Sequence, residues 1–185
     1  MGFDVNGTSV TNGGGDLKIN YSTNVIQQFT STGNLRRNIS MTPMFFVGGS
    51  TASWVALTAS TWVTLVFDTI AQNNRSCYST STGRFTAPVS GLYLLSGTTY
   101  NYQDSSSYLY PMFFVNGSAT GNRIGAANYR PKGYMVPAGG YAFDGALTEI
   151  IYLFAGDYIE YREWSNGVQG YWYPPYASFS GVLLG

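Results

Sequence analysis

Histidine is absent from this chain, and cysteine occurs once, at Cys77. The first absence removes the commonest general base and the commonest metal ligand together. The second excludes an intrachain disulfide framework, and Cys77, set in an alternating stretch, is expected to be a buried small hydrophobe. Charge is also scarce: Asp, Glu, Lys and Arg make up 10% of 185 residues, nine of each sign, for a net charge of zero. Without a basic excess the clustered cations that neutralise phosphate are missing, so nucleic acid is not an expected partner. No apolar run approaches the ~20 residues of a membrane span, and Met1 is not followed by the basic and apolar regions of a signal peptide. The expectation is a chain made in the cytoplasm, with no membrane partner.

Enzyme motifs are missing as well. Gly13-Gly14-Gly15 lacks the Lys-Ser/Thr and the helix of a phosphate-binding loop. The densest acidic group is Asp157, Glu160 and Glu163, but Glu160 and Glu163 fall on opposite faces of a strand. A glycosidase needs two opposed carboxylates, which that strand alone does not offer. Glu160 and Arg162 share a face and are expected to form an exposed ion pair of little energetic weight. No catalytic residue, cofactor site or metal site is assigned.

What the chain has in quantity is aromatic rings and glycine: 17% aromatic, with 16 Tyr, and 23 Gly. That composition suits a β-rich protein with large polar-aromatic contact surfaces. From Thr42 onwards the sequence reads as about ten short strands separated by turn signals. Residues 62–67 alternate strongly, and 109–115 run into Asn116-Gly117, a hairpin signal. Residues 150–154, the Gly156-Asp157 turn and 158–164 read as a second hairpin. Pro43-Met44-Phe45-Phe46-Val47-Gly48-Gly49-Ser50 is nearly repeated as Pro111-Met112-Phe113-Phe114-Val115-Asn116-Gly117-Ser118, but the flanks differ, so no tandem duplication is inferred. No stretch has the apolar period and caps of a helix.

The organising stretch is 67–101. Gly83-Arg84-Phe85 gives a turn and an apolar anchor, Pro88 and Gly91 close a second turn, and an alternating strand follows. Leu92 and Leu94 point to one face and Tyr93 and Leu95 to the other. Both faces are apolar, so the strand is expected to be covered on both sides, by a core on one and a partner subunit on the other.

Residues 1–41 differ from the rest. They offer short apolar groups, Phe3 with Val5, Leu17 with Ile19, and Val25 with Phe29, punctuated by turn residues. These are too sparse to bury a core alone, and the expectation is an arm that gains order by packing on another chain. Arg36-Arg37, the basic doublet, joins arm to domain. The domain division is therefore a docking arm, 1–41, and a globular knob, 42–185.

The stretch G-R-F-T-A-P-V-S-G-L-Y-L-L, from Gly83, resembles the signature of the complement C-one-q globular head, related in fold to tumour necrosis factor. Residues 147–159 (L-T-E-I-I-Y-L-F-A-G-D-Y-I) and 176–184 (Y-A-S-F-S-G-V-L-L) are similar to two later segments of that family, in the same order. The resemblance spans roughly 42–185 and implies an all-β jelly-roll sandwich that assembles as a homotrimer. The family's trimer packs the Leu92 strand and the closing strand around an axis, so Leu92, Leu94, Phe179, Gly181 and Leu183 are placed at the subunit interface. Some members bind calcium near the trimer apex, but neither Asp104 nor Asp144 lies in a ligand-dense loop.

Three segments carry dense aromatics: 100–110, 129–141 and 164–176. In the last, Trp164, Asn166, Gln169, Tyr171, Trp172 and Tyr173 form the candidate recognition surface, apt for stacking on a sugar ring. The competing account has these rings packing against a neighbouring subunit or their own loop. The functional expectation is a non-enzymatic virion structural protein, of bacteriophage type. Its trimeric knob is anchored by the arm to other virion proteins, as capsid decoration or a fibre tip, and contacts a host-surface glycan. The lack of a collagen-like repeat, disulfides and signal peptide fits that reading. The alternative is a free-standing recognition module of the complement-head type, a lectin or protein ligand outside any particle.

Overall fold

The computed structural model describes residues 17–21, 24–29, 35–37, 42–103, 109–119, 142–166 and 169–185. The chain divides into two compact units, Met1–Thr42 and Pro43–Gly185. In the first, β1 (Leu17–Tyr21), β2 (Asn24–Phe29) and β3 (Leu35–Arg37) form an antiparallel sheet in the order β1-β2-β3. Leu17 and Leu35 both lie opposite Phe29 in register.

The second unit is a sandwich of two antiparallel sheets, and no α-helix occurs among its described residues. The strands in chain order are β4 (Met44–Gly48), β5 (Val55–Leu57), β6 (Trp62–Thr64), β7 (Thr69–Asn74), β8 (Tyr78–Ser79) and β9 (Arg84–Thr86). They continue as β10 (Gly91–Gln103), β11 (Leu109–Val115), β12 (Ser118–Ala119), β13 (Ala142–Leu153), β14 (Tyr158–Ser165), β15 (Gly170–Trp172) and β16 (Ser178–Leu183). The first sheet runs β5-β15-β10-β16-β4-β7, and the long β10 carries β13 along its other side. The second runs β12-β11-β14-β9-β8, with β6 also on β14. This is a jelly roll.

The expected alternation holds on β10: Tyr93 and Leu95 are fully buried, while Leu92 is exposed. Asn116 and Gly117 both take positive φ, 51° and 78°, the backbone of a two-residue hairpin turn between β11 and β12. Cys77 is buried, and burial pushes its thiol up to about 11. The two near-identical segments, 43–50 and 111–118, enter the core from opposite sheets, Phe45 from β4 and Phe113 from β11.

Two expectations about strands are corrected. The turn at Gly156 does not close a hairpin: β13 pairs with β10 in the first sheet, β14 with β11 in the second. The turn is a corner between sheets, held by local and distant bonds together. Asp157 Oδ2 accepts from the Phe154 amide at 2.9 Å, and Gly156 N and Ala87 N bond across to Ala87 O and Asp157 O. The strand expected over 62–67 is regular only over Trp62–Thr64, with one further bond from Leu65 N to Tyr161 O at 2.9 Å.

The closing strand is corrected too. Register sets Leu183 opposite Tyr93, Gly181 opposite Leu95 and Phe179 opposite Gly97. Directly opposed residues share a face, so Phe179, Gly181 and Leu183 face the core with Tyr93 and Leu95. Phe179 is fully buried, its ring 4.7 Å from Phe45 and 5.6 Å from Phe113. Gly181 leaves the space in which the Phe45 ring and Leu95 sit: a Cβ there would come within 2.6 and 2.7 Å of them. The outward residues of β16 are Ser178, Ser180 and Val182.

Phe179→Ala is therefore expected to cost about 3–5 kcal/mol of folding stability, the usual range for removing a buried Phe ring. A urea unfolding midpoint unchanged from the parent would place the ring outside the core.

Candidate recognition surfaces

The outer face of the first sheet is built in cross-strand rows. One row reads Ile150, Leu94, Val182, Met44, and the next reads Tyr152, Leu92. Leu184 N donates to Leu92 O at 2.8 Å, which carries the chain end onto the same edge. Ile150 is 62% exposed and Phe154 61%, and Leu92, Tyr152 and Leu184 are also exposed. So large a contiguous apolar group on a folded domain marks a contact surface. Of the residues expected at an axis, Leu92 and Leu94 lie on this face; Phe179, Gly181 and Leu183 do not.

Along the same face the chemistry then changes. Ser96 Oγ and Thr148 Oγ1 pair at 3.1 Å, and Thr98 Oγ1 and Ser178 Oγ at 2.8 Å, giving a hydroxyl band. Beyond it lies a group of rings. Trp54 is 5.6 Å from Tyr100, 5.7 Å from Tyr102 and 5.2 Å from Tyr173, centroid to centroid. Tyr176, 67% exposed, meets Tyr100 at 5.3 Å and Tyr173 at 5.1 Å, and Tyr171 meets Tyr102 at 6.3 Å. A three-residue 3-10 turn, Pro174–Tyr176, fixes the chain between Tyr173 and β16.

The expected recognition segment is thus divided. Trp172 is buried, 5.5 Å from Phe67 in an edge-to-face contact, because Gly170–Trp172 is a strand whose alternation sends Trp172 inward and Tyr171 outward. Trp164 belongs to the other sheet, on β14, against Trp62 at 5.7 Å. Asn166 and Gln169 are exposed between the two sheets' strands. Only Tyr171 and Tyr173 join the ring group. Of its other members, Tyr100, Tyr102 and Tyr176 fall within the aromatic segments 100–110 and 164–176 but were not among the candidate residues, and Trp54 lies outside them; strand pairing, not proximity in the chain, gathers the group. The Tyr100-Asn101-Tyr102 alternation was the signal available. The segments 104–108 and 129–141 lie outside the described residues, as do Phe3 and Val5 of the arm. Leu17 and Ile19 fall in β1, and Val25 and Phe29 in β2.

The carboxylates of β14 do lie on opposite faces, but Glu160 is not exposed. It is buried, accepting from Arg84 Nε at 3.0 Å and from Arg162, whose guanidinium lies 4.4 Å from the Phe114 ring centre. Rings beneath both arginines shield the pair from water, which strengthens it beyond the exposed contact expected. Glu163, fully buried, points between the sheets. No group of three metal-binding side chains occurs among the described residues. A groove of about 190 Å³ lined by Val55, Val66, Asp68 and Trp172, among others, is small for an organic ligand, whose sites usually span ~300–1,000 Å³.

The comparisons with known proteins agree with this architecture. The C1q-domain family model matches residues 45–128. The globular domain of zebrafish complement 1qA superposes with a TM-score of 0.53 at 14% identity, over 78% of this chain and 98% of that one. The fold is that of the C1q and tumour necrosis factor jelly rolls. Eiger, a tumour necrosis factor of S. frugiperda, gives 0.54 at 14% identity over 78% and 93%. Murine APRIL gives 0.52 at 9% over 77% and 99%. No curated protein sequence matches the chain. C1q- and tumour necrosis factor-like domains are in general non-enzymatic ligand-binding modules, and they typically form homotrimers.

Two tryptophans test the division between surface and core. Trp172→Ala is expected to cost about 3–5 kcal/mol. Trp54→Ala, which removes only surface ring contacts, is expected to cost about 1 kcal/mol. Equal losses in thermal melting would contradict the burial contrast.

Proposed function

We propose that this protein is a non-enzymatic structural and recognition knob that works as a homotrimer. The carrying observation is the exposed apolar face of Leu92, Ile150, Tyr152, Phe154 and Leu184 on one sheet. Left in water it is a liability; packed against two further copies it supplies the driving force for closed assembly. Typical trimerisation among C1q- and tumour necrosis factor-like domains supports the same reading.

The finer proposal is a virion component, of bacteriophage type, that decorates a capsid or tips a fibre. It rests on sequence features: an arm of a composition unlike the knob, little charge, and a single cysteine in no disulfide. In this reading residues 1–41 dock on other virion proteins, through Leu17, Ile19, Val25 and Phe29 among others. The ring group around Trp54 with Tyr171 and Tyr173 then meets a host-surface glycan, since flat aromatic faces stack on sugar rings. Stoichiometric presence of the chain in purified virions supports this; its absence favours a free-standing recognition module.

Substitution of Ile150 by Asp tests the trimer. The side chain is exposed, so the fold is expected to survive while sedimentation velocity shows monomers. A normal trimer from Ile150→Asp would remove this face from the interface. Deletion of residues 1–41 is expected to leave a folded, trimeric knob that no longer attaches to particles, and full occupancy by the truncated chain would exclude docking through the arm.

A further inference from the structure

Between the sheets, at the end of β10 that meets β15, lies a small polar group that none of the surface chemistry uses. Glu163 of β14 is fully buried, and Thr99 and Asn101 of β10 are each 1% exposed. Asn101 Nδ2 donates to Glu163 Oε1 and to Thr99 Oγ1, both at 2.8 Å, so both amide protons are spent. Glu163 Oε2, Asn101 Oδ1 and the Tyr161 hydroxyl are buried without a hydrogen-bond partner among the described residues. Gly145 of β13 makes room for the group: a Cβ there would stand 2.6 Å from Thr99 Oγ1 and 3.4 Å from Asn101 Nδ2.

The charges around Glu163 are few. Its neighbours in register on β14's own sheet are Pro111 of β11 and Val63 of β6. From β10 come Thr99 and Asn101, from β13 Gly145, and from β14 itself Tyr161, the one other titratable group facing it among the described residues. Arg84 and Arg162 are bound to Glu160 on the opposite face of the strand, and Arg75 is exposed. No Lys or Arg is buried among the described residues. A carboxylate here would be a buried charge facing only neutral donors, the Asn101 amide and the Thr99 hydroxyl, with no counter-ion among the described residues, an arrangement proteins avoid. A neutral carboxylic acid removes that charge and adds a donor beside the unpaired acceptor on Asn101 Oδ1.

We propose that Glu163 is a proton-dependent latch between the two sheets, carried as the neutral acid in the closed sandwich, and that release of its proton loosens the packing of β10 and β15 against β14. Ionisation puts a charge where only water can stabilise it, so the sheets part at this end to admit water. The same stretch of β10 bears Tyr100 and Tyr102 on its other face, and Asn101 lies opposite Trp172 of β15. Loosening there shifts the ring group around Trp54, which ties the surface to pH. The inference concerns the knob alone and does not depend on the particle reading.

Burial pushes the Glu163 carboxyl up from 4.5 to about 8, against the smaller opposing pull of the Asn101 and Thr99 hydrogen bonds. The folded state therefore holds a proton that the unfolded chain gives up above about 4.5. The stabilising contribution is full below that value and is lost as pH rises to about 8; inside the window each pH unit shifts the folding equilibrium about tenfold.

The test uses the whole protein and its Glu163→Gln variant. In wild type, carbon-13 NMR of the glutamate carboxyl groups is expected to show Glu163 titrating near 8, as the one signal missing from the variant. The urea midpoint is expected to fall between about pH 5 and 8 in wild type and to flatten in Glu163→Gln. Amide exchange at Thr99, Asn101 and Trp172, compared between the two proteins at equal pH, is expected to be faster in wild type above pH 8. If Glu163 titrates in the ordinary carboxylate range, or the two proteins share one pH dependence and one exchange rate, the latch is overturned. Should Glu163→Gln fail to fold, the wild-type titration alone decides, read against a Glu160→Gln spectrum for assignment.

Discussion

The ring of Phe179 is the point on which the sandwich closes. It meets Phe45 from the first sheet, Phe113 and Tyr161 from the second, and Phe67 from the connection between β6 and β7, with Tyr78 at 6.1 Å. Rings this large fit between two sheets only where the backbone yields space. Gly97 and Gly181 yield it: a Cβ on Gly97 would stand 2.6 Å from the Tyr161 ring, and one on Gly181 as close to Phe45. Aromatic bulk and glycine gaps are thus one device, and the high content of both follows from it.

That device also settles which residues remain outside. Once Phe179, Gly181 and Leu183 face inward, pairing forces Val182 outward beside Leu94 and Ile150. The apolar rows, the hydroxyl band and the ring group around Trp54 are all consequences of one register. A slip of a single residue would exchange them with the core. The exposed apolar face and the integrity of the core are therefore set by the same strand.

The two glutamates of β14 show how far environment governs chemistry within one strand. Glu160, on the outer face, has two arginines and rings beneath them. Glu163, three residues on and facing inward, has an amide and a hydroxyl near it and no buried cation among the described residues. The first is held by its two ion pairs; burial pushes the second toward its neutral acid.

Local signals carried much of the fold. Alternation around Tyr93 and Leu95, the Asn116-Gly117 turn and the Gly83-Arg84-Phe85 anchor depend on neighbours in the chain, and the sequence by itself determined them together with the all-β class. The jelly roll came from three motifs in order, which a chain can display without any knowledge of its contacts. What only the tertiary structure decided was the destination of residues whose pattern admits two faces. S-F-S-G-V-L alternates equally well with Phe179 inward or outward, and its facing was set by pairing with a strand some eighty residues earlier. Trp172 looked like surface because it sits among Tyr, Pro and Gly, yet three residues of strand turn it into the core. The corner at Gly156-Asp157 has the local form of a hairpin, but Ala87, distant in sequence, directs its arms to different sheets. Period-2 patterns specify that faces differ; long-range register alone specifies which face is buried.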